Sequence, residues 1–199
     1  MKELLKNTRN LTFLGVMFGL SIVLLFATMI PGLGASVAIF MFLPTIITGI
    51  IKGPKAGWLM GTAIGIVIML RAMIAPLSVL DPLFINPLVS VVPRMFIGVV
   101  SYYVFSLIAK NYTALKKNGK NTARVAVGSA LAGAFGMITN TALVMGALYI
   151  FYANKIVAIL GMEFKAFLMI IITSNAAIEA ISAAILTTAI ITVYYRIRR

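Results

Sequence analysis

Long apolar stretches separated by short polar segments run through the whole chain. They lie at about residues 11–30, 35–51, 56–75, 87–109, 124–152 and 166–195. A helix needs about 20 such residues to cross the hydrocarbon core of a bilayer. The pattern therefore predicts an all-α integral membrane protein, with one domain of six transmembrane helices over residues 1–199. The second span is the weakest because Pro44 lies inside it, although neighbouring helices can satisfy the carbonyl that a proline frees.

The composition supports the same fold class. Hydrophobic residues make up 62% of the chain and charged residues 11%, whereas soluble domains contain about 45–50% and about 25%. A soluble protein with a large core would need shorter helices with polar faces, and the long apolar stretches argue against that.

The distribution of lysine and arginine predicts the orientation of the chain. If both termini lie in the cytoplasm, the outer loops keep only Arg71, Lys155 and Lys165, and nearly all other basic residues fall on the cytoplasmic side. The positive-inside rule predicts this asymmetry. We therefore interpret the net charge of +13 mainly as a consequence of topology.

A nucleic-acid-binding surface is the obvious alternative explanation of the basic charge. However, the basic residues are scattered over loops on one side of the membrane, with no fold or aromatic platform that could contact bases. We expect no nucleic-acid partner. Lys116, Lys117 and Lys120 can also contact anionic headgroups of the lipid bilayer.

The chain lacks the side chains that most enzymes use. It contains no cysteine and no histidine, which removes thiol nucleophiles, imidazole bases and the commonest ligands of zinc, copper and haem. Asp81 is its only aspartate, and paired carboxylates are therefore scarce. No G-x-x-x-x-G-K-[ST] phosphate-binding motif is present. We predict no catalytic residue, no metal site and no cofactor.

Small residues recur at four-residue spacing on three predicted helices. Such strips let helix backbones approach closely in a membrane. Those within 57–65 and 126–136 are interpreted as internal packing. Gly15 and Gly19 lie on the terminal helix, which is well placed to contact another subunit.

Polar side chains are predicted at membrane depth on the fourth, fifth and sixth helices. They are Asn86, Ser90 and Arg94, Asn140, and Asn175 with Glu179. A charged group at this depth costs roughly 2.5–3.5 kcal/mol, so each should face a partner or a watery cavity. Two interpretations remain open: a buried Arg94–Glu179 salt bridge that ties two helices together, or a ligand cavity. We favour the cavity because amides and hydroxyls from three helices converge with the charges.

The loop before the fourth helix is long and apolar enough to close over a pocket. Asp81 precedes Pro82, and an Asp-Pro step commonly opens a turn. We predict that Asp81 shapes this turn. Its other possible roles stay open.

Several segments together resemble a known family. The most specific are the KGPK-x-G turn at 52–57 and the NPLVS-x-x-PR segment at 86–94, and SNAAIEAISAAI in the last helix agrees with them. The chain resembles the substrate-binding S component of a prokaryotic energy-coupling factor (ECF) vitamin transporter, most closely the pantothenate type. The similarity runs through nearly the whole chain.

This resemblance implies a six-helix subunit of the prokaryotic cell membrane that binds a vitamin from outside and topples to deliver it. Its implied partners are a transmembrane coupling protein (EcfT) and two cytoplasmic ATPase subunits, which use the ATP. In the family, small residues on the first helix contact the coupling protein. The matching positions here are Gly15 and Gly19, where the family often has alanines.

Pantothenate is a small carboxylate with hydroxyls and an amide. Arg94 can bind the carboxylate through two parallel hydrogen bonds, with Arg71 as the rival, while Asn140, Asn175 and Glu179 bind the other groups. Another vitamin, such as folate, cobalamin or a pyrimidine precursor, remains an alternative. A stand-alone transporter that couples protons through Glu179 is a less favoured one. The sequence does not indicate whether the energising module is shared or dedicated.

Overall fold

Every regular element among the described residues is helical. The computed structural model describes residues 7–28, 40–109 and 120–197. In chain order the α-helices are α1 (Thr8–Ala27), α2 (Leu43–Lys52), α3 (Pro54–Ile74), α4 (Pro87–Ser90), α5 (Val92–Ala109), α6 (Lys120–Leu160), α7 (Phe164–Ile171) and α8 (Ala177–Ile197). Shorter segments are the 3₁₀ turns Phe40–Phe42 and Asp81–Ile85 and the π-helical turn Ile172–Ala176. The all-α prediction is confirmed for these residues.

Within the described ranges, five helical stretches are long and apolar enough to cross a membrane. They are Thr8–Ala27, Pro54–Ile74, Pro87–Ala109, Thr122–Leu160 and Phe164–Ile197. Each overlaps one predicted span. The predicted second span, 35–51, corresponds to the shorter apolar helix Phe40–Lys52, and its first residues lie outside the described ranges.

Helix α6 extends beyond the predicted fifth span, 124–152. Helix α6 continues to Leu160 and is 41 residues long, about 60 Å at 1.5 Å per residue. Gly161, at φ +65°, follows its end, and α7 begins at Phe164. The loop expected after the fifth span is therefore shorter than predicted, because α6 includes Lys155 as an exposed residue. A lysine interrupts an apolar stretch, but it is a good helix former.

Proline and glycine set the boundaries of the second and third helices. Pro44 occupies the first turn of α2 rather than its interior, where a missing N–H removes no helical hydrogen bond. Gly53 adopts φ +96° between α2 and α3, and Pro54 begins α3. The KGPK turn is thus a sharp connection between two helices.

Glycines bring α3 and α5 into backbone contact. A Cβ atom added at Gly61 would lie 2.7 Å from the carbonyl carbon of Arg94, and one at Gly65 would lie 2.8 Å from the Cα of Val91. Side chains cannot be accommodated at such distances without movement of a helix. The predicted packing role of this strip is confirmed.

Helix α6 packs between α5 and α8 through its own small residues. A Cβ atom added at Gly136 would collide with the hydroxyl of Ser101 on α5. One added at Gly133 would lie 2.6 Å from the carbonyl oxygen of Ala183 on α8. The predicted packing role of the fifth-helix strip is also confirmed.

Helix α1 differs, because its glycines face no other part of the described ranges. A Cβ atom added at Gly15 or Gly19 would meet no atom within 4 Å. Leu14, Ser21 and Leu25 form the buried side of the helix. The glycine strip of α1 therefore lies on a free surface rather than in the packed interior.

A small hydrophobic cluster holds the segment between α3 and α5 in place. Leu83 and Val89 are buried against Val144, Leu148 and Phe167 from α6 and α7. These contacts fix the 3₁₀ turn and α4 against the end of the bundle. The turn can thus present side chains to the interior at defined positions.

Candidate functional site

A cavity of about 490 Å³ lies among α1, the 3₁₀ turn before α2, α3, the segment between α3 and α5, and the π-helical turn. Its lining residues are Leu25, Thr28, Met41, Ile68, Arg71, Ser78, Asp81, Phe84, Arg94 and Asn175. Binding sites for small molecules typically measure about 300–1,000 Å³. The cavity combines apolar side chains with two cations, a carboxylate, an amide and hydroxyls.

Arg94 is the most deeply buried charged residue of this wall, with 5% of its surface exposed. Its Nη1 donates a hydrogen bond to the carbonyl oxygen of Val89 at 2.6 Å. That oxygen is free because Pro93, four residues later, has no N–H to donate. The proline therefore gives the arginine an anchor within its own segment.

Aromatic rings flank the Arg94 guanidinium. Its Cζ lies 5.8 Å from the ring centroid of Phe42 and 5.4 Å from that of Phe84. Rings at such distances attract a cation through their negative faces. The buried Nε of Arg94 has no hydrogen-bond partner among the described atoms. The group is therefore held in position with hydrogen-bonding capacity left over.

Arg94 and Glu179 influence each other electrostatically but form no direct ion pair within 4.0 Å. Glu179 interacts instead with Thr141, and it does not line the cavity. The direct salt bridge, the less favoured of the two interpretations, is therefore absent. Asn175 reaches the cavity from the π-helical turn.

The predicted stripe of Asn86, Ser90 and Arg94 is wrong because the helix breaks between α4 and α5 at Val91. Asn86 precedes α4, where its Oδ1 accepts a hydrogen bond from the Leu88 amide at 3.0 Å. Ser90 is buried, and its hydroxyl donates to the carbonyl oxygen of Asn86 at 3.1 Å. Neither side chain lines the cavity.

Asn86 has a second contact, and Asn140 has an unsatisfied group. The Nδ2 of Asn86 donates to the hydroxyl of Tyr152 on α6 at 3.3 Å. Asn140 is buried on α6, and its Oδ1 has no partner among the described atoms. It does not line the cavity either. The structure therefore brings together only Arg94, Asn175 and Arg71 from the predicted site.

Asp81 connects the cavity wall to the loop above it. One carboxylate oxygen accepts a hydrogen bond from Nη2 of Arg71 at 3.0 Å. The other accepts from the amides of Leu77 at 2.6 Å and Ser78 at 3.2 Å. The predicted turn role of Asp81 is confirmed. Sequence reasoning missed its pairing with Arg71, ten residues away across the loop.

Two other cavities lie beside the C-terminal half of α6 and helix α7. They measure about 360 and 510 Å³ and share Ala142, Met145 and Leu168. Their walls are almost wholly apolar. A charged, hydrogen-bonding solute matches the cavity at Arg94 better than either of these grooves.

Comparison with known proteins identifies the family. The sequence model described as "ECF transporter, substrate-specific component" matches residues 9–191. The chain belongs to this family. The resemblance inferred from the KGPK and NPLVS segments is confirmed.

One curated relative also matches. The "Pantothenic acid transporter PanT" of Lactococcus lactis subsp. cremoris (strain MG1363) is 29% identical over 165 residues, which cover 76% of this chain and 74% of the relative. As an ECF substrate-specific component, this protein is a transporter subunit and not an enzyme. It is a multi-pass protein of a prokaryotic plasma membrane, with a vitamin as substrate and an ECF module as partner.

Proposed function

We propose that this substrate-specific component binds pantothenate and delivers it to an ATP-driven ECF module. The observation that carries the proposal is the buried Arg94 guanidinium, which lines a cavity of about 490 Å³ with hydrogen-bond donors to spare. The pantothenate-transporting relative supports the choice of vitamin.

The cavity offers a complementary group for each part of pantothenate. Arg94 pairs with the carboxylate, because a guanidinium matches its geometry with parallel hydrogen bonds. The Asn175 amide and the Ser78 hydroxyl are available for the amide and hydroxyl groups. Leu25 and Ile68 supply apolar surface for the methyl groups.

Burial strengthens the proposed contact with Arg94. A charge-assisted hydrogen bond is stronger in a site that excludes water, because the surrounding dielectric is lower. Removing one member of such a pair costs about 2–5 kcal/mol, much of it from leaving the other charge unpaired. This corresponds to a loss of affinity of roughly 30-fold or more.

Titration of the purified protein with pantothenate and with panthenol, its neutral alcohol analogue, tests the proposal. The unmodified protein should strongly prefer the acid, and Arg94→Met should lose that preference. Arg94→Lys should recover only part of the affinity, because a point charge cannot make two parallel bonds. Retained preference in Arg94→Met would show that Arg94 is structural, and absence of pantothenate binding to the unmodified protein would refute the substrate.

We also propose that the chain has six spans with both termini in the cytoplasm. The proposed sixth crossing is the short helix Phe40–Lys52 together with the residues before it. The support is the concentration of lysine and arginine in one set of loops.

We further propose that Gly15 and Gly19 contact the transmembrane coupling protein, which works with two cytoplasmic ATPases. Both glycines are exposed, and a Cβ atom at either would meet no atom of the residues that the structure describes within 4 Å. A smooth exposed strip lets a partner helix approach closely. The chain needs no cofactor of its own in this scheme, because the partners use the ATP.

A further inference from the structure

We infer that the Arg71–Asp81 pair sets the charge of the cavity, so that Arg94 is the one described lining cation with no carboxylate in contact, ready for an incoming monocarboxylate. The inference rests on the proposed function, and it assigns the two members of the pair a role in specificity. Asp81 thereby becomes a selectivity determinant rather than only a turn residue.

Three charged side chains line the cavity among the described residues: Arg71, Asp81 and Arg94. Asp81 and Arg71 are joined at 3.0 Å, and their side chains are 11% and 15% exposed. Two opposite charges at this distance largely cancel for a third charge farther away. The pair therefore contributes little net attraction, and the wall retains about one positive charge from Arg94.

The remaining contacts of Asp81 hold this arrangement in place. Its second oxygen accepts hydrogen bonds from the amides of Leu77 and Ser78. The carboxylate therefore cannot turn away from Arg71 without breaking these hydrogen bonds to the loop. Packing of Leu83 against α6 and α7 fixes the adjacent 3₁₀ turn. Arg71 is thus held by a partner whose own position is determined by several contacts.

Glu179 is a carboxylate whose charge reaches Arg94. It does not line the cavity, forms no direct ion pair with Arg94, and interacts with Thr141 instead. Arg94 therefore has no carboxylate in contact. A ligand carboxylate can take that place, whereas a carboxylate already occupies the corresponding place at Arg71.

This arrangement predicts opposite outcomes for a single and a double substitution. Arg71→Met leaves the Asp81 carboxylate unneutralised at the cavity wall, where it repels an anionic ligand. Adding Asp81→Asn removes the repelling charge. If Arg71 bound the ligand carboxylate directly, the second substitution could not restore what the first had removed.

Titration with pantothenate and panthenol measures both effects in the full-length protein. We expect Arg71→Met to weaken pantothenate binding at least tenfold and the Arg71→Met/Asp81→Asn variant to return to within about threefold of the unmodified protein. Panthenol affinity should stay nearly constant, which reports that the cavity is intact. Lys165→Met, which removes an exposed cation outside this cavity, is the matched control for net charge and should change neither affinity.

The inference would be overturned if the double variant bound pantothenate as weakly as Arg71→Met does, since Arg71 would then contact the ligand itself. An Arg71→Met protein with unchanged pantothenate affinity would also overturn it. Failure of the unmodified protein to bind pantothenate would instead refute the proposed substrate. The two failures are therefore distinguishable. If the double variant is unstable, unchanged pantothenate affinity in Arg71→Met still overturns the inference, because the loop contacts of Asp81 remain in that variant.

Discussion

Replacing Gly61 with alanine tests whether the close approach of α3 and α5 positions Arg94. The added Cβ would collide with the carbonyl oxygen of Arg94 and lie 2.7 Å from its carbonyl carbon, whereas ordinary contact begins at 3.4 Å. The obstacle is backbone rather than a flexible side-chain end. Helix α5 must therefore move, and it carries the guanidinium with it.

The expected magnitude follows from this geometry. Overpacking a close-packed interior typically costs about 1–3 kcal/mol. The displacement that relieves this collision also misaligns the proposed bidentate bond of Arg94 with the ligand carboxylate. We expect a lower unfolding temperature and a loss of pantothenate affinity of about tenfold or more, although Gly61 does not line the cavity.

Thermal unfolding in detergent and ligand titration measure the two effects separately. Gly146→Ala is the matched control, because its added Cβ meets no atom within 4 Å and it also lies in a helix. It should leave affinity unchanged and stability equal or higher, since alanine is the better helix former. The reasoning is refuted if Gly61→Ala behaves like Gly146→Ala in both assays.

Three further predictions concern topology, coupling and capping. A label at Asn118 should be accessible only from the cytoplasm and one at Asn154 only from outside, and labelling of both from one side would contradict six spans. Replacing Gly15 and Gly19 together by leucine should leave vitamin binding intact but abolish uptake by the full complex; a parallel loss of both would indicate internal packing. Asn86→Ala should destabilise the protein by about 1 kcal/mol through loss of the α4 cap, with little change in pantothenate affinity, and a large loss of affinity would place Asn86 in the site.

The sequence by itself determined the membrane class, most helix positions and the family. Hydropathy is a local property, so an apolar stretch of sufficient length predicts a helix wherever the rest of the chain lies. The glycine strips of α3 and α6 likewise predicted close packing. The missing histidine, cysteine and phosphate-binding motif excluded most catalytic chemistry before any contact was known.

The tertiary structure decided which polar side chains meet. The spacing predicted that Asn86 and Ser90 share a helix face with Arg94. Pro93 instead interrupts the backbone hydrogen bonds of the helix, and Arg94 donates to the free Val89 carbonyl. Helical periodicity predicts a shared face only while the helix stays regular.

The sequence also did not predict the ion pair between Arg71 and Asp81. Its two members belong to different elements, and the loop between them could adopt many paths. The Asp81 carboxylate accepts hydrogen bonds from two backbone amides, and the turn that follows packs on α6 and α7. These contacts bring the carboxylate within 3.0 Å of Arg71. Contacts between elements depend on the whole packed arrangement, because no local pattern encodes the distance between two helices.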